Sequence, residues 1–244
     1  KFSLLCLLFS TALLHAQVNY TANDKVVPYT GKFRMGINMG YYPGWDNKTL
    51  ADIAAGNAQT GQLGVGARGN RTGLYEIVLD YYGYGLVEPD IAHWQSLGMG
   101  EFTAILGGPA PTHQDYSQHC PGQFSSMFAN LYTPVWDGGL NGTPYNDNNY
   151  WAAYVYKAAS RYKDQVRFWE IWNEPGFDLT GNLGWRDDQY PNNWWKEGPN
   201  PCDYILRAPI YHYIRTLRVA YEVIKINPCD YILRAPIYHY IRTL

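Results

Sequence analysis

Charge is scarce in this chain. Only 16% of its 244 residues are Asp, Glu, Lys or Arg, and 21 acidic against 19 basic side chains leave a formal net charge of −2. Such a surface offers no electrostatic footprint for a phosphate backbone or an anionic bilayer, so nucleic acid and membrane are excluded as expected partners. Cysteine is equally sparse: four residues, no Cys-x-x-Cys, and six scattered histidines, so no metal cluster or cofactor is implied. Long apolar runs are missing too. The most apolar stretch, residues 2–14, is too short to span a bilayer comfortably. With Lys1 before it and the small Ala16 behind it, this stretch reads as a secretory signal peptide over residues 1–16, cut before Gln17. The mature chain is therefore expected to be secreted or periplasmic. In an oxidising compartment Cys120 and Cys202 become a plausible disulfide pair, since Cys6 leaves with the signal and Cys229 lies in a repeated segment.

What is abundant is aromatic: 23 Tyr and 9 Trp. Flat rings stack on the C–H faces of sugars, and they also pack large cores; composition leaves both readings open.

Along the chain, strand-like and helix-like segments alternate. Strands are predicted at 32–40, 101–108 and 166–175, a Gly-rich strand or turn, counted as the second strand, at 64–70, and helices at 47–57, 88–98, 148–165 and 208–227. Four strand-then-helix units imply parallel strands joined by crossover helices. The long loops follow strands, as in a (β/α)8 barrel, where the loops after the strands build the site. The expected class is α/β, a partial (β/α)8 TIM barrel comprising about its first four βα units. A doubly wound sheet is the alternative. Its support is "GVGARG" at 64–69, a formal GxGxxG, but no buried strand precedes it and no clean helix follows.

The stretch "FWEIWNEPGF", 168–177, sets carboxylates in an otherwise apolar strand. Period-two alternation puts Phe168, Glu170, Trp172 and Glu174 on one side, with Trp169 and Ile171 towards the helices. In a barrel the first set faces the lumen and Glu174 reaches the C-terminal rim. Glu170 then lies deeper and needs a cation, for which Arg34 and Arg68 are the candidates.

"EIWNEP" at the end of a fourth strand resembles the signature of the clan A glycoside hydrolases, the retaining (β/α)8 glycosidases. The opening "GINMGYYPGW" and the four-unit spacing resemble the first half of such an enzyme, over roughly residues 30–227. The resemblance implies Glu174 as general acid/base, with Trp172 helping to supply an apolar setting that raises its pKa. It implies Asn173 as the group hydrogen-bonding the sugar 2-hydroxyl beside the cleaved bond. Arg68 resembles the second-strand Arg that supports the nucleophile, and His113 in "PTHQDY" sits where a substrate-contacting His could lie. Asn38, on the first strand, and Trp45, after it, join the expected substrate-binding set, and Glu174 is expected beside the ends of the strands carrying Asn38 and Arg68. Tyr41, Tyr42, Trp45, Trp185, Trp194 and Trp195 are placed to line a glycan cleft. The implied partner is a carbohydrate.

One departure matters. A retaining glycosidase needs a second carboxylate about 5–5.5 Å from the first, and in this clan it ends the seventh strand. No such nucleophile is found: Glu222 lies in the fourth helix and Glu197 in a Trp-rich loop. Instead, "NPCDYILRAPIYHYIRTL" occurs twice, at 200–217 and 227–244. A natural repeat recurs as a whole supersecondary unit and diverges, so residues 228–244, which duplicate 201–217, read as an artefact beyond a barrel portion at 17–227. The expected function is a secreted glycosidase acting on β-linked oligo- or polysaccharides, truncated before its nucleophile. The alternative is a non-catalytic carbohydrate-binding protein with the same aromatic cleft.

Overall fold

A parallel β-sheet organises the molecule. The structure, a computed structural model, describes residues 35–38, 46–176, 202, 204–226 and 232–234, all within one unit, Arg34–Leu244. The expected signal peptide lies outside the described residues. Five strands occur in the order β1-β2-β3-β4-β5, every neighbouring pair parallel: β1 Gly36–Ile37, β2 Gly69–Gly73, β3 Glu101–Leu106, β4 Val166–Ile171 and β5 Ile232–Arg234. The helices are α1 Asn47–Ala55, α2 Glu76–Tyr82, α3 Glu88–Ser96, α4 Tyr150–Tyr162 and α5 Ile210–Ile226. The chain is thus α/β, and among the described strands the order never reverses. A doubly wound sheet needs such a reversal, and with it helices on both faces. Sequential right-handed crossovers instead lay their helices on one face.

Local chemistry explains most boundaries. α1 starts where the Asp46 carboxylate accepts the Thr49 N–H at 2.7 Å. α3 carries Pro in its first turn and stops before Gly98, whose φ is +81°. α4 opens at Asn149, whose side chain accepts from Ala152 N at 3.0 Å and donates to Thr133 O at 2.7 Å.

The sheet's two faces separate as alternation requires. Phe102, Ala104, Leu106, Trp169 and Ile171 are all 0% exposed, in one apolar cluster with Ile91, Trp94, Trp151, Val155, Val219 and Val223 from α3, α4 and α5. Polar ties from the helices reach the same layer: Tyr213 donates to Ile171 O, and Tyr154 to Leu74 O. On the other face Arg71, Thr103, Phe168 and Glu170 stay half-buried.

Two sequence expectations change. The second strand is not 64–70. Gly66 adopts φ +78°, which breaks an extended run, and a Cβ on Gly64 would lie 2.0 Å from Gly56 N, so 64–68 is a tight connection against α1. The strand begins at Gly69, where a Cβ would meet Glu101 O at 2.5 Å. The glycine pattern at 64–69 therefore runs into a strand rather than from a strand into a helix. The second change is α2, a helix not foreseen between the second strand and 88.

Candidate functional site

The ladder hydrogen bonds continue past the strand ends: Trp172 N to Leu106 O at 2.7 Å, Leu74 N to Ile105 O at 2.9 Å and Glu76 N to Gly107 O at 3.0 Å. This knits the C-terminal ends of β2, β3 and β4 into one rim. At that rim the backbone leaves the strand conformation abruptly, with Trp172 at φ +67° and Glu174 at φ +47°. Two left-handed non-glycine residues cost about 1–3 kcal/mol each, a strain that persists only where the surroundings over-determine it.

The twist ends the alternation predicted through Glu174. Trp172 does not face the open side. It is 6% exposed, edge-to-face with Phe128 at 6.5 Å and packed on Gly107, where a Cβ would lie 3.1 Å from its ring. This corrects its expected place among the lumen-facing side chains: its ring packs into the rim against Phe128 and Gly107. Asn173 remains half-buried and Glu174 exposed.

The organising cation is Arg71, in the middle of β2. Its Nε donates to Glu170 Oε2 at 2.7 Å and its Nη2 to Glu170 Oε1 at 2.6 Å, the bidentate fork of a strong guanidinium–carboxylate pair. Nη2 also donates to Asn173 Oδ1 at 2.7 Å. The paired Glu170 carboxylate holds the Arg71 guanidinium more firmly protonated than usual, against the pull of partial burial. Because Asn173 spends its carbonyl on Arg71, its amide nitrogen is the atom left to donate outward. Tyr75 completes the group. Gly73 and Gly108 make room for it, since Cβ atoms there would lie 2.6 Å from Tyr75 Cε2 and 3.2 Å from Tyr75 Cβ. Burial pushes its phenol up; Arg71 pulls it down, and Glu170 and Glu174 push it up further.

Arg68 is corrected by the same geometry. It precedes β2, its carbonyl accepts from Gly100 N at 2.9 Å, and its guanidinium lies by Gly98 ahead of β3. That is the N-terminal rim, opposite Glu174, so the expectation of a shared rim fails for Arg68. The shift of the strand by several residues is the reason, and Arg71 takes the position foreseen for it. Neither sequence candidate for Glu170's cation was this residue, and Arg34 lies outside the described residues. The missed signal was Arg71's own parity: in a strand at 69–73 it falls on the Glu170 side.

Asn38 follows β1 and, with Arg71, Thr103, Glu101 and Phe168, lines an open concavity of about 330 Å³ on the half-buried face. His113 lies in the loop after β3, bonded to Glu76 and stacked on Tyr150 rather than joined to the Arg71 group. Cys120 and Cys202 are bonded, with Cα atoms 5.3 Å apart. Trp45, and with it Tyr41, Tyr42, Trp185, Trp194, Trp195 and Glu197, lies outside the described residues. Among the described residues no three His, Cys, Asp or Glu side chains are placed to hold a metal ion, and no helix is long and apolar enough to cross a membrane.

No protein-family model matches the chain, and no curated protein matches it.

Proposed function

We propose that this chain belongs to a secreted glycoside hydrolase that cleaves β-linked oligo- or polysaccharides with retention of configuration, and that its sheet is the first part of a (β/α)8 barrel. The observation that carries the reading is the Arg71–Glu170–Asn173 network, which ties the middle of β2 to the C-terminal end of β4 beside Glu174. Barrel enzymes build their chemistry at that end. The unreversed strand order and the packing of α3, α4 and α5 against one face support the same architecture.

In this reading Glu174 protonates the leaving glycosidic oxygen and later takes a proton from the attacking water, which requires an accessible carboxyl at the rim. Asn173, its carbonyl held by Arg71, donates its amide N–H to a sugar hydroxyl. That bond strengthens as charge develops on the ring. Arg71 and Glu170 neutralise each other and fix the Asn173 amide, so the donor is in place before substrate arrives.

Both Glu170 oxygens accept from Arg71, which assigns this carboxylate to holding the guanidinium and, through it, Asn173. This favours a second reading for the chain as it stands, a carbohydrate binder without turnover. The test is to assay the 244-residue chain on a panel of β-glycans and activated aryl β-glycosides. Binding without hydrolysis is expected, and robust turnover would show that other residues carry the chemistry. In the intact enzyme Glu174→Ala should nearly abolish turnover of poor leaving groups, while sparing the first step on aryl glycosides that need little protonation.

A further inference from the structure

Glu76, the first residue of α2, is 3% exposed, and neither the barrel motif nor the Arg71 network accounts for it. Its Oε2 accepts the Ala110 N–H at 2.8 Å, and its Oε1 lies 2.9 Å from His113 Nδ1. A buried carboxylate is costly unless it is hydrogen-bonded, and both oxygens here are engaged. The His113 ring is fixed in its plane by Tyr150, stacked at 4.3 Å and 18°. Its side chain is 30% exposed, and among the described residues its Nε2 takes no hydrogen-bond partner. The loop bearing it leaves β3 through Gly107 and Gly108, the glycines that touch Trp172 and Tyr75. His113 therefore lies on the loop that leaves the rim shared with Asn173, and Glu76 is tied to the start of that loop by its N–H to Gly107 O at 3.0 Å.

We infer that Glu76 is a positioning residue that fixes the tautomer of His113. Its carboxylate accepts from Nδ1–H, so Nε2 is presented as a lone-pair acceptor for a hydroxyl of a neutral, polyhydroxylated ligand. A ring nitrogen's role is set by the hydrogen bond made by the other nitrogen. The ligand class rests on the glycoside reading above; the tautomer does not. Asp80, Tyr84 and Tyr154 are the other titratable groups in electrostatic reach of Glu76, and none of them hydrogen-bonds His113.

The chemistry makes a sharp demand on Glu76→Gln. Ala110 N–H still needs an acceptor, so the glutamine oxygen turns to it and the amide nitrogen faces Nδ1. That nitrogen donates, and the tautomer inverts to Nε2–H.

Long-range ¹H–¹⁵N correlation of the histidine rings in the full chain at neutral pH reads both states. The wild type should show His113 protonated on Nδ1, and Glu76→Gln should show it protonated on Nε2. A wild-type Nε2–H tautomer, which a neutral Glu76 donating to Nδ1 would produce, overturns the inference. So does a Glu76→Gln variant that keeps the wild-type tautomer. Adding millimolar cellotetraose or xylotetraose should shift the wild-type Nε2 resonance, and tenfold weaker binding is expected in the variant. Tetrasaccharide binding that leaves Nε2 unmoved refutes the ligand role of His113 while sparing the glycoside reading. No tetrasaccharide-induced shift anywhere in the protein refutes both, and only the tautomer assignment stands. Should Glu76→Gln not fold, the wild-type tautomer and the sugar-induced shift of Nε2 decide.

Discussion

On one face of the sheet Phe102, Ala104, Leu106, Trp169 and Ile171 are fully buried beneath helices; on the other Arg71, Thr103 and Phe168 stand half-open around a concavity, with Glu170 half-buried against Arg71. The same strands make both faces, because successive side chains point to opposite sides. The covered face is held by apolar area, worth about 1.5–3 kcal/mol for each large side chain buried. The open face is held by a few directional bonds, worth about 0.5–1.5 kcal/mol net each and somewhat more with charge. Under the function proposed above, stability and sugar chemistry fall on different sides of the same backbone, and substitutions on the two should have separable effects.

The largest effect belongs to the covered face. Trp169→Ala removes a fully buried ring and should cost about 3–5 kcal/mol, read as a lowered urea midpoint. Arg71→Met comes next. It leaves Glu170 and Asn173 without their donor, but the pair's side chains are 28% and 15% exposed, so water recovers part of the loss. About 1–2 kcal/mol is expected in the same measurement. Asn149→Ala removes the α4 cap and the bond to Thr133, and should cost about 1 kcal/mol without touching either face of the sheet.

The smallest effect is a pH slope. Burial holds Glu76 above its usual 4.5, although the Ala110 N–H and His113 oppose it. A carboxyl raised in the folded state binds its proton more readily there than in the unfolded chain. Its contribution therefore favours folding at low pH and is lost as pH rises from 4.5 through the folded value. Denaturation of wild type and Glu76→Gln across that window should show the wild type losing ground to the variant as pH rises; a flat difference would contradict the burial.

The covered face was the legible one. β3 and β4 could be placed from sequence because apolar side chains recur every second residue at Phe102, Ala104 and Leu106 and at Trp169 and Ile171, and a buried face imposes that period. α5 was legible for the same reason, as 17 residues with an apolar stripe. β2 was not, because "GNRTG" contains no apolar residue; close approach to Glu101 and the ties of Arg71 hold it in the sheet, and neither is local. The site suffered with it: Asn173 and Glu174 could be named from their motif, but the cation of Glu170 was sought at Arg34 or Arg68, and it is Arg71. The repeated segment makes the point within one sequence. Ile205-Leu206-Arg207 lies in a turn, with Leu206 O accepting from Ser126 N and Arg207 at φ +47°, whereas Ile232-Leu233-Arg234 pairs in parallel with β4. Identical residues take two conformations because their neighbours differ, which propensity alone cannot foresee.

Assigning function to the open face is tested most directly by comparing two variants for β-glycan binding. Isothermal titration of the wild type, Arg71→Met and the covered-face control Ile171→Val with the same β-linked tetrasaccharide separates the faces. Arg71→Met should weaken binding at least tenfold, about 1.4 kcal/mol, through the freed Asn173 amide, while Ile171→Val binds as the wild type does despite its lower stability. Equal affinity for wild type and Arg71→Met would contradict the account.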